Sequence, residues 1–428
     1  MSDREWGFRT RAIHAGARPD ATTGSRAVPI YQTTSFVFED AADAADLFAL
    51  QKFGNIYSRI ANPTVAAFEE RMASLEGGIG AVATASGQAA EFLTAIALAG
   101  AGDHVVASSG LYGGTYTLFD VTLRRLGIET TFVTADDPVA FAKAVRPTTK
   151  FLYTEMIGNP SGVVADVTAL AEVAHHEGLA LVVDATLATP YLCRPLEHGA
   201  DIVVHSATKF LGGHGTSLGG VVVESGKFDW GNGKFPAMTE PVSSYGGLRF
   251  FENFGEYAFC TKFRAEQLRD VGASLSPFNA FLLLLGIETL PQRMQDHVTA
   301  AQALAKHLEE HQEVVEVRYA GLESSPYYAL ASRYLPRGPG AVLSFRLKSG
   351  RGGAQRFVES VRLLSHLANV GDVRSLVIHP ASTTHRQLSD EVLEAAGVPA
   401  DLVRISVGLE DIDDILYDVD QALEKTTA

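Results

Sequence analysis

The feature that most constrains this chain is a recurrence of short apolar runs between residues 81 and 224. The runs Ala81–Ala85, His104–Ala107, Thr130–Thr134, Phe151–Glu155, Leu181–Asp184, Ile202–His205 and Gly220–Glu224 read as strands, and helical segments separate most of them. Strands that are apolar throughout, rather than alternating, need cover on both faces. The pattern therefore predicts an α/β fold with a mainly parallel, seven-stranded central sheet. In such sheets ligands gather beyond the carboxyl ends of the strands, so the residues that follow each run carry the functional information. They are Ser86, Gly87 and Gln88, then Ser108 to Tyr112, Asn159 and Pro160, Asp184, and Ser206 to Lys209.

The stretch Asp201–Gly215 delivers Ser206, Thr208 and Lys209 into a glycine-rich loop. Glycines at a strand end mark places where a ligand approaches the backbone closely. Two readings of Lys209 compete: a solvated lysine in a turn, and a Schiff-base lysine whose lowered pKa lets the neutral amine attack a carbonyl. Ser86, Gly87 and Gln88 open a helix whose free N–H groups and dipole suit a dianion, with Ser206 and Thr208 adding hydroxyls. Pyridoxal 5'-phosphate fits that set. Asp184 would pair with the pyridine nitrogen and Tyr112 would stack on the ring; the competing readings are a helix cap for Asp184 and loop packing for Tyr112.

Residues 1–62 lack sustained periodicity and read as an N-terminal arm, whose Tyr31, Phe36, Phe38 and Tyr57 favour docking on a neighbouring subunit. A helix is expected over Thr64–Leu75, stopped by Gly77 and Gly78. Residues 63–270 form the expected cofactor-binding domain. Helices at Tyr257–Val271, Ala280–Met294 and His297–Gln312, with strands at Val314–Tyr319 and Ala341–Leu347, place a smaller C-terminal α+β domain over 271–428. The segment Phe228–Pro236 reads either as a gate or as interface packing.

A net charge of −15 argues against nucleic acid or an anionic membrane as partner. The start lacks the basic and apolar regions of a signal peptide, so a cytoplasmic location is expected. Phe281–Leu285 is far too short to span a bilayer. Cys193 and Cys260 read as small buried hydrophobes. Three pattern matches fail on context. The glycines of Gly78–Ala83 follow a helix and precede a strand, the reverse of a dinucleotide fingerprint. Gly215–Gly219 lacks the strand–turn–helix order of a nucleophile elbow. Neither His175 with His176 nor His379 with His385 has metal-ligand spacing, so no metal is expected.

Asp201–Gly215 resembles the lysine motif of the Cys/Met-metabolism group of fold-type I pyridoxal-phosphate enzymes. The resemblance extends through Tyr57-Ser-Arg59, Asn62-Pro-Thr64, Ser86-Gly87-Gln88, Leu111–Gly114, Gly158–Pro160 and Arg404–Asp411. It implies that Tyr57 and Arg59 reach the neighbouring subunit's cofactor phosphate, and that Arg404 forks the substrate carboxylate. It further implies that Asn159 lies beside cofactor and substrate, with Ser382 and Tyr57 also near the substrate. The implied assembly is a homotetramer of dimers with shared active sites.

Within the group, Ser375–Ser389, the Phe228–Pro236 insertion and Ser276–Phe281 resemble the branch that uses O-acetyl-L-homoserine. The implied reaction is γ-replacement. Lys209 removes the Cα proton, a second proton moves from Cβ, acetate leaves Cγ with help from Tyr112, and sulfide or methanethiol adds, giving L-homocysteine or L-methionine. The alternatives are the cystathionine γ-synthases and the methionine γ-lyases. The latter usually carry cysteine where this chain has Gly114. A cofactor-binding protein without catalysis is a third, non-enzymatic reading.

Overall fold

The computed structural model describes residues 5–134, 137–383, 386 and 397–426. Its large sheet is built from β1 (Gly80–Thr84), β2 (His104–Ser108), β3 (Glu129–Val133), β4 (Thr149–Glu155), β5 (Ala180–Asp184), β6 (Ile202–His205) and β7 (Gly220–Glu224). These are the seven expected strands, displaced at their ends by at most two residues. The spatial order is β1-β7-β6-β5-β4-β2-β3. Only β7 runs against its neighbours, pairing antiparallel with β1 and β6. Every residue of β2, β6 and β7 is buried. Successive side chains enter opposite cores: Val183 and Val203 join one cluster with Phe68 and Leu170, while Val182 and Ile202 join the other with Leu93 and Phe259.

A second sheet follows, of β8 (Val314–Arg318), β9 (Val342–Leu347), β10 (Ser365–His366), β11 (Leu376–Ile378) and β12 (Leu402–Ser406), in the order β10-β11-β12-β9-β8. Its inner residues Phe345, Val403 and Ile405 belong to the same core cluster as one face of the large sheet, so one hydrophobic core joins both sheets.

Two helical expectations need correction. The break expected after Met294 falls at Thr289, between Pro277–Glu288 and Leu290–Glu310. Pro291 sits in the first turn of the second helix, where its missing N–H costs nothing, so the break precedes it. The arm also carries helices, Phe8–His14 and Ala41–Phe48. Asp40 caps the second by accepting from the N–H groups of Ala42 and Asp43, both at 2.8 Å. The first is tied to its own subunit, because buried Arg71 donates to the carbonyls of Ile13 at 3.0 Å and Ala15 at 2.9 Å.

Within Phe228–Pro236, Trp230 and Phe235 pack inward. Trp230 is buried, stacks on Phe259 with centroids 5.6 Å apart, and donates its indole N–H to Glu224 at 3.0 Å. Burial pushes the Glu224 carboxyl up to about 7 from an ordinary 4.5, despite N–H donors from Trp230, Phe259 and Cys260. Folding therefore takes up a proton between those values, and the contribution of this group to stability falls as pH rises from about 4.5 to about 7. Denaturant titrations should show Trp230→Ala losing roughly 3–5 kcal/mol, and Glu224→Gln flattening the decline across that pH window.

Candidate active site

At the carboxyl edge of the large sheet lies a cavity of about 220 Å³. It is bordered by Ser86, Gly87 and Gln88 after β1, Tyr112 after β2, Glu155 and Asn159 at and after β4, Asp184 at the end of β5, and Ser206, Thr208 and Lys209 after β6. Asn369 and Arg404 enter from the second sheet's side.

Lys209 is largely buried, and its ammonium donates to Asn369 Oδ1 at 2.5 Å. Desolvation, reinforced by nearby Arg404, lowers its pKa to about 8. Arg404, on β12, donates to Asn159 Oδ1 at 3.1 Å and to the Asn369 carbonyl at 3.1 Å. Burial holds its guanidinium at about 10. The loop carrying Asn369 closes onto Lys209 through Gly371. A β-carbon there would lie 2.6 Å from the Phe210 nitrogen, and its φ of +76° suits glycine. The Gly371 N–H is held at 2.9 Å by Ser406, which shares β12 with Arg404.

At the other end, Ser86 caps the helix Gly87–Leu98 by accepting from Ala89 N–H at 3.1 Å. Gly87 faces Ser206 so closely that a β-carbon would come within 2.5 Å of Ser206 Cβ. This leaves a helix N-terminus, with no side chain in the way, beside a serine hydroxyl. A phosphate dianion suits that cradle. Thr208 borders it too, but its hydroxyl is engaged with Gly219, donating to the carbonyl at 3.2 Å and accepting from the N–H at 3.1 Å. Asp184 accepts from Thr186 N–H at 2.7 Å and borders the cavity. Tyr112 is half exposed, and its N–H donates to Glu155 at 2.5 Å. Gln88 approaches the same turn, 3.4 Å from the Gly114 carbonyl.

Some expected residues stand apart. Tyr57 and Arg59 do not border the cavity; the guanidinium lies 5.3 Å from the Tyr57 ring centre, and that ring is exposed. Ser382 sits on the turn Pro380–Ser382, with its hydroxyl 2.5 Å from His379 Nδ1. Parts of the Ser375–Ser389 stretch, including His385 and Ser389, lie outside the described residues. Among the described residues no group of His, Cys, Asp and Glu could hold a metal ion, and no helix is long and apolar enough to cross a membrane.

Reading strand ends missed Asn369, Glu155 and Glu91. Glu155 is the last residue of β4 and was open to that rule. Asn369 lies on a loop without periodicity, and Glu91 on a helix whose cavity-facing side is not apparent from an apolar run.

A largely buried lysine of lowered pKa, a helix N-terminus beside a serine hydroxyl, and Asp184 and the half-exposed Tyr112 on the wall of the same cavity are a set that suits pyridoxal phosphate. Residues 9–424 match the model of the Cys/Met metabolism PLP-dependent enzymes. The chain is 51% identical over 424 residues to the O-acetyl-L-homoserine sulfhydrylase of Leptospira meyeri, covering 97% of this chain and 96% of the relative. It is 54% identical over 420 residues to the homocysteine synthase of Schizosaccharomyces pombe, covering 97% and 98%. A solved chain from Campylobacter jejuni, described as an O-acetylhomoserine (thiol)-lyase with N'-pyridoxyl-lysine-5'-monophosphate, superposes with a TM-score of 0.95 at 39% identity, covering 98% of this chain and all of that one. The chain belongs to the Cys/Met metabolism PLP-dependent enzymes, and pyridoxal phosphate is its cofactor.

In the cofactor-free protein, the rate at which Lys209 captures pyridoxal phosphate should rise with pH through a midpoint near 8, the value set by burial. Arg404→Leu removes a positive neighbour that favours the neutral amine, so the midpoint should move upward in stopped-flow absorbance measurements.

Proposed function

We propose that this chain catalyses γ-replacement on O-acetyl-L-homoserine, exchanging acetate for sulfide or methanethiol to give L-homocysteine or L-methionine. The observation that carries this reading is the pairing of Lys209 with a buried Arg404 across one cavity: a proton-moving amine and a carboxylate fork, which an amino-acid substrate needs together. The names of the relatives supply the leaving group and the thiol.

Bound pyridoxal phosphate supplies an electrophilic aldehyde and a ring that withdraws electrons from the substrate's Cα. The Gly87–Leu98 N-terminus and Ser206 would hold its phosphate, and Asp184 would pair with its ring nitrogen. Arg404 and Asn159 hold the substrate α-carboxylate and so set the Cα–H bond toward Lys209. The Lys209 amine, neutral in a sizeable fraction near pH 8, removes the Cα proton and then moves the Cβ proton. Asn369 gives the freed amine a fixed resting partner. Tyr112 stands at the mouth, where its hydroxyl assists departure of acetate from Cγ.

Gly114 favours replacement over the methionine γ-lyase alternative, because a β-carbon at 114 would press within 2.5 Å of Tyr112 Cε1 and displace that ring. Tyr57 and Arg59 act across a dimer interface on the neighbouring subunit's phosphate, which accounts for their exposure and their distance from their own cavity. Ser382 completes the substrate side. Two such dimers form a homotetramer, residues 1–62, 63–270 and 271–428 act as arm, cofactor domain and C-terminal domain, and the enzyme works in the cytoplasm.

Product analysis with O-acetyl-, O-succinyl- and O-phosphohomoserine, each offered sulfide, methanethiol or cysteine, should give homocysteine and methionine from the acetyl ester. Release of 2-oxobutyrate from methionine alone would favour the lyase. Arg404→Ala should raise KM for the ester at least tenfold while cofactor binding persists. Mixing inactive Arg59→Ala and Lys209→Ala chains under subunit exchange should restore roughly a quarter of wild-type activity, as shared sites demand.

A further inference from the structure

One ion pair closes the free edge of the large sheet. β1 is the first strand of that sheet and has a neighbour, β7, on one side only. On the other side Glu69, from the helix Pro63–Glu76, accepts the Ala83 N–H at 2.8 Å through Oε1. Arg264 Nη2 donates to Glu69 Oε2 at 2.7 Å and to the Ala81 carbonyl at 3.4 Å. Carboxylate and guanidinium thus stand where a further strand would, which protects a sheet edge. Edge protection does not account for the remaining contact, in which Arg264 Nη1 donates to the Ile60 carbonyl at 2.7 Å.

Ile60 belongs to the turn that carries Tyr57 and Arg59. The Tyr57 carbonyl closes this turn by accepting the N–H groups of Ile60 at 2.9 Å and Ala61 at 3.1 Å. The bonds from Ser58 N–H to the Thr34 carbonyl at 2.8 Å and from Asn62 to the Ser58 hydroxyl at 2.9 Å stay within the arm. Arg264 ties the turn to the cofactor domain instead. It stands in a π-helical turn, Phe263–Leu268, inside the helical stretch Ala258–Val271, a form that recurs at functional sites. The stretch ends at Gly272, where a β-carbon would lie 3.8 Å from Arg59 Cδ. One helical stretch therefore holds the turn by its backbone at Ile60 and lies against the stem of Arg59.

We propose that Arg264 is a positioning residue, which by holding the Ile60 carbonyl fixes the turn from which Arg59 reaches the neighbouring subunit's cofactor phosphate. This rests on the reading of Tyr57 and Arg59 given above. Glu69 sets the angle of the guanidinium, so the strand that leads to a subunit's own Ser86 and the turn that serves its neighbour are braced by the same pair. Arg264 then serves a site in which it does not itself lie, and its loss is felt by the neighbour. A residue that only closed the sheet edge would harm the site of its own chain.

The test titrates full-length, cofactor-free protein with pyridoxal phosphate and reads the absorbance of the cofactor joined to Lys209. Arg264→Met should weaken binding roughly tenfold. Lys209→Ala chains are silent in this assay but present an intact turn. After subunit exchange of equal amounts of the two variants, about half of the lysine-bearing sites face an intact turn. The titration should then divide into two equal parts, one of wild-type affinity and one roughly tenfold weaker. Arg59→Ala exchanged with Lys209→Ala should divide in the same way. Wild-type affinity in Arg264→Met alone overturns the proposal. So does an Arg264→Met mixture in which every site stays weak while the Arg59→Ala mixture divides. If neither mixture divides, the reading of Arg59 as acting across the interface falls, and the proposal falls with it. Should Arg264→Met fail to fold, as judged by circular dichroism, Arg264→Met combined with Glu69→Gln, which leaves no unpaired buried charge, takes its place in the same exchange.

Discussion

Everything in this site depends on keeping one amine out of water. Lys209 sits in the turn after β6, under a loop from the second sheet, and desolvation makes it a base usable near pH 8. The amine comes from one sheet, and Asn369 and Arg404 come from the other. The site therefore exists only while the two layers are packed together, and the core cluster that contains both Val203 and Ile405 is what packs them. Gly371 marks the closest approach, where even a methyl group would meet the backbone next to Lys209.

The same desolvation governs the acids. A cavity that lowers a lysine's pKa must raise a carboxyl's, and Glu91 and Glu155 are both pushed upward by burial. The upward shift of Glu91 and Glu155 favours their neutral forms, which lightens the negative charge beside Lys209 and Arg404. On the proposed function, a phosphate at the Gly87 helix end and a substrate carboxylate at Arg404 mark the two ends of the ligand.

The sheet was legible because buried parallel strands are apolar throughout, and their ends pointed to most of the cavity wall. Ser86, Tyr112, Asn159, Asp184, Ser206, Thr208 and Lys209 were found in this way. Arg404 came from the resemblance, since an arginine inside a strand has no local mark of function. Asn369 escaped because its role arises from a loop crossing between sheets, and Glu91 because a buried glutamate on a helix reads as an exposed one. The inward packing of Trp230 was also hidden, for it gains its place only from Glu224 and Phe259, which meet it in space. The helix break at Thr289 was misplaced although Pro291 signalled it.

The claim on which the rest stands is that Lys209 is the residue joined to the cofactor. Borohydride reduction of the loaded enzyme, followed by digestion and peptide mass mapping, tests it most directly. A stable pyridoxyl phosphate label on the peptide containing Lys209, and on no other lysine, is the predicted result. A label on a different lysine, or a loaded enzyme that yields no labelled peptide after reduction, would contradict it.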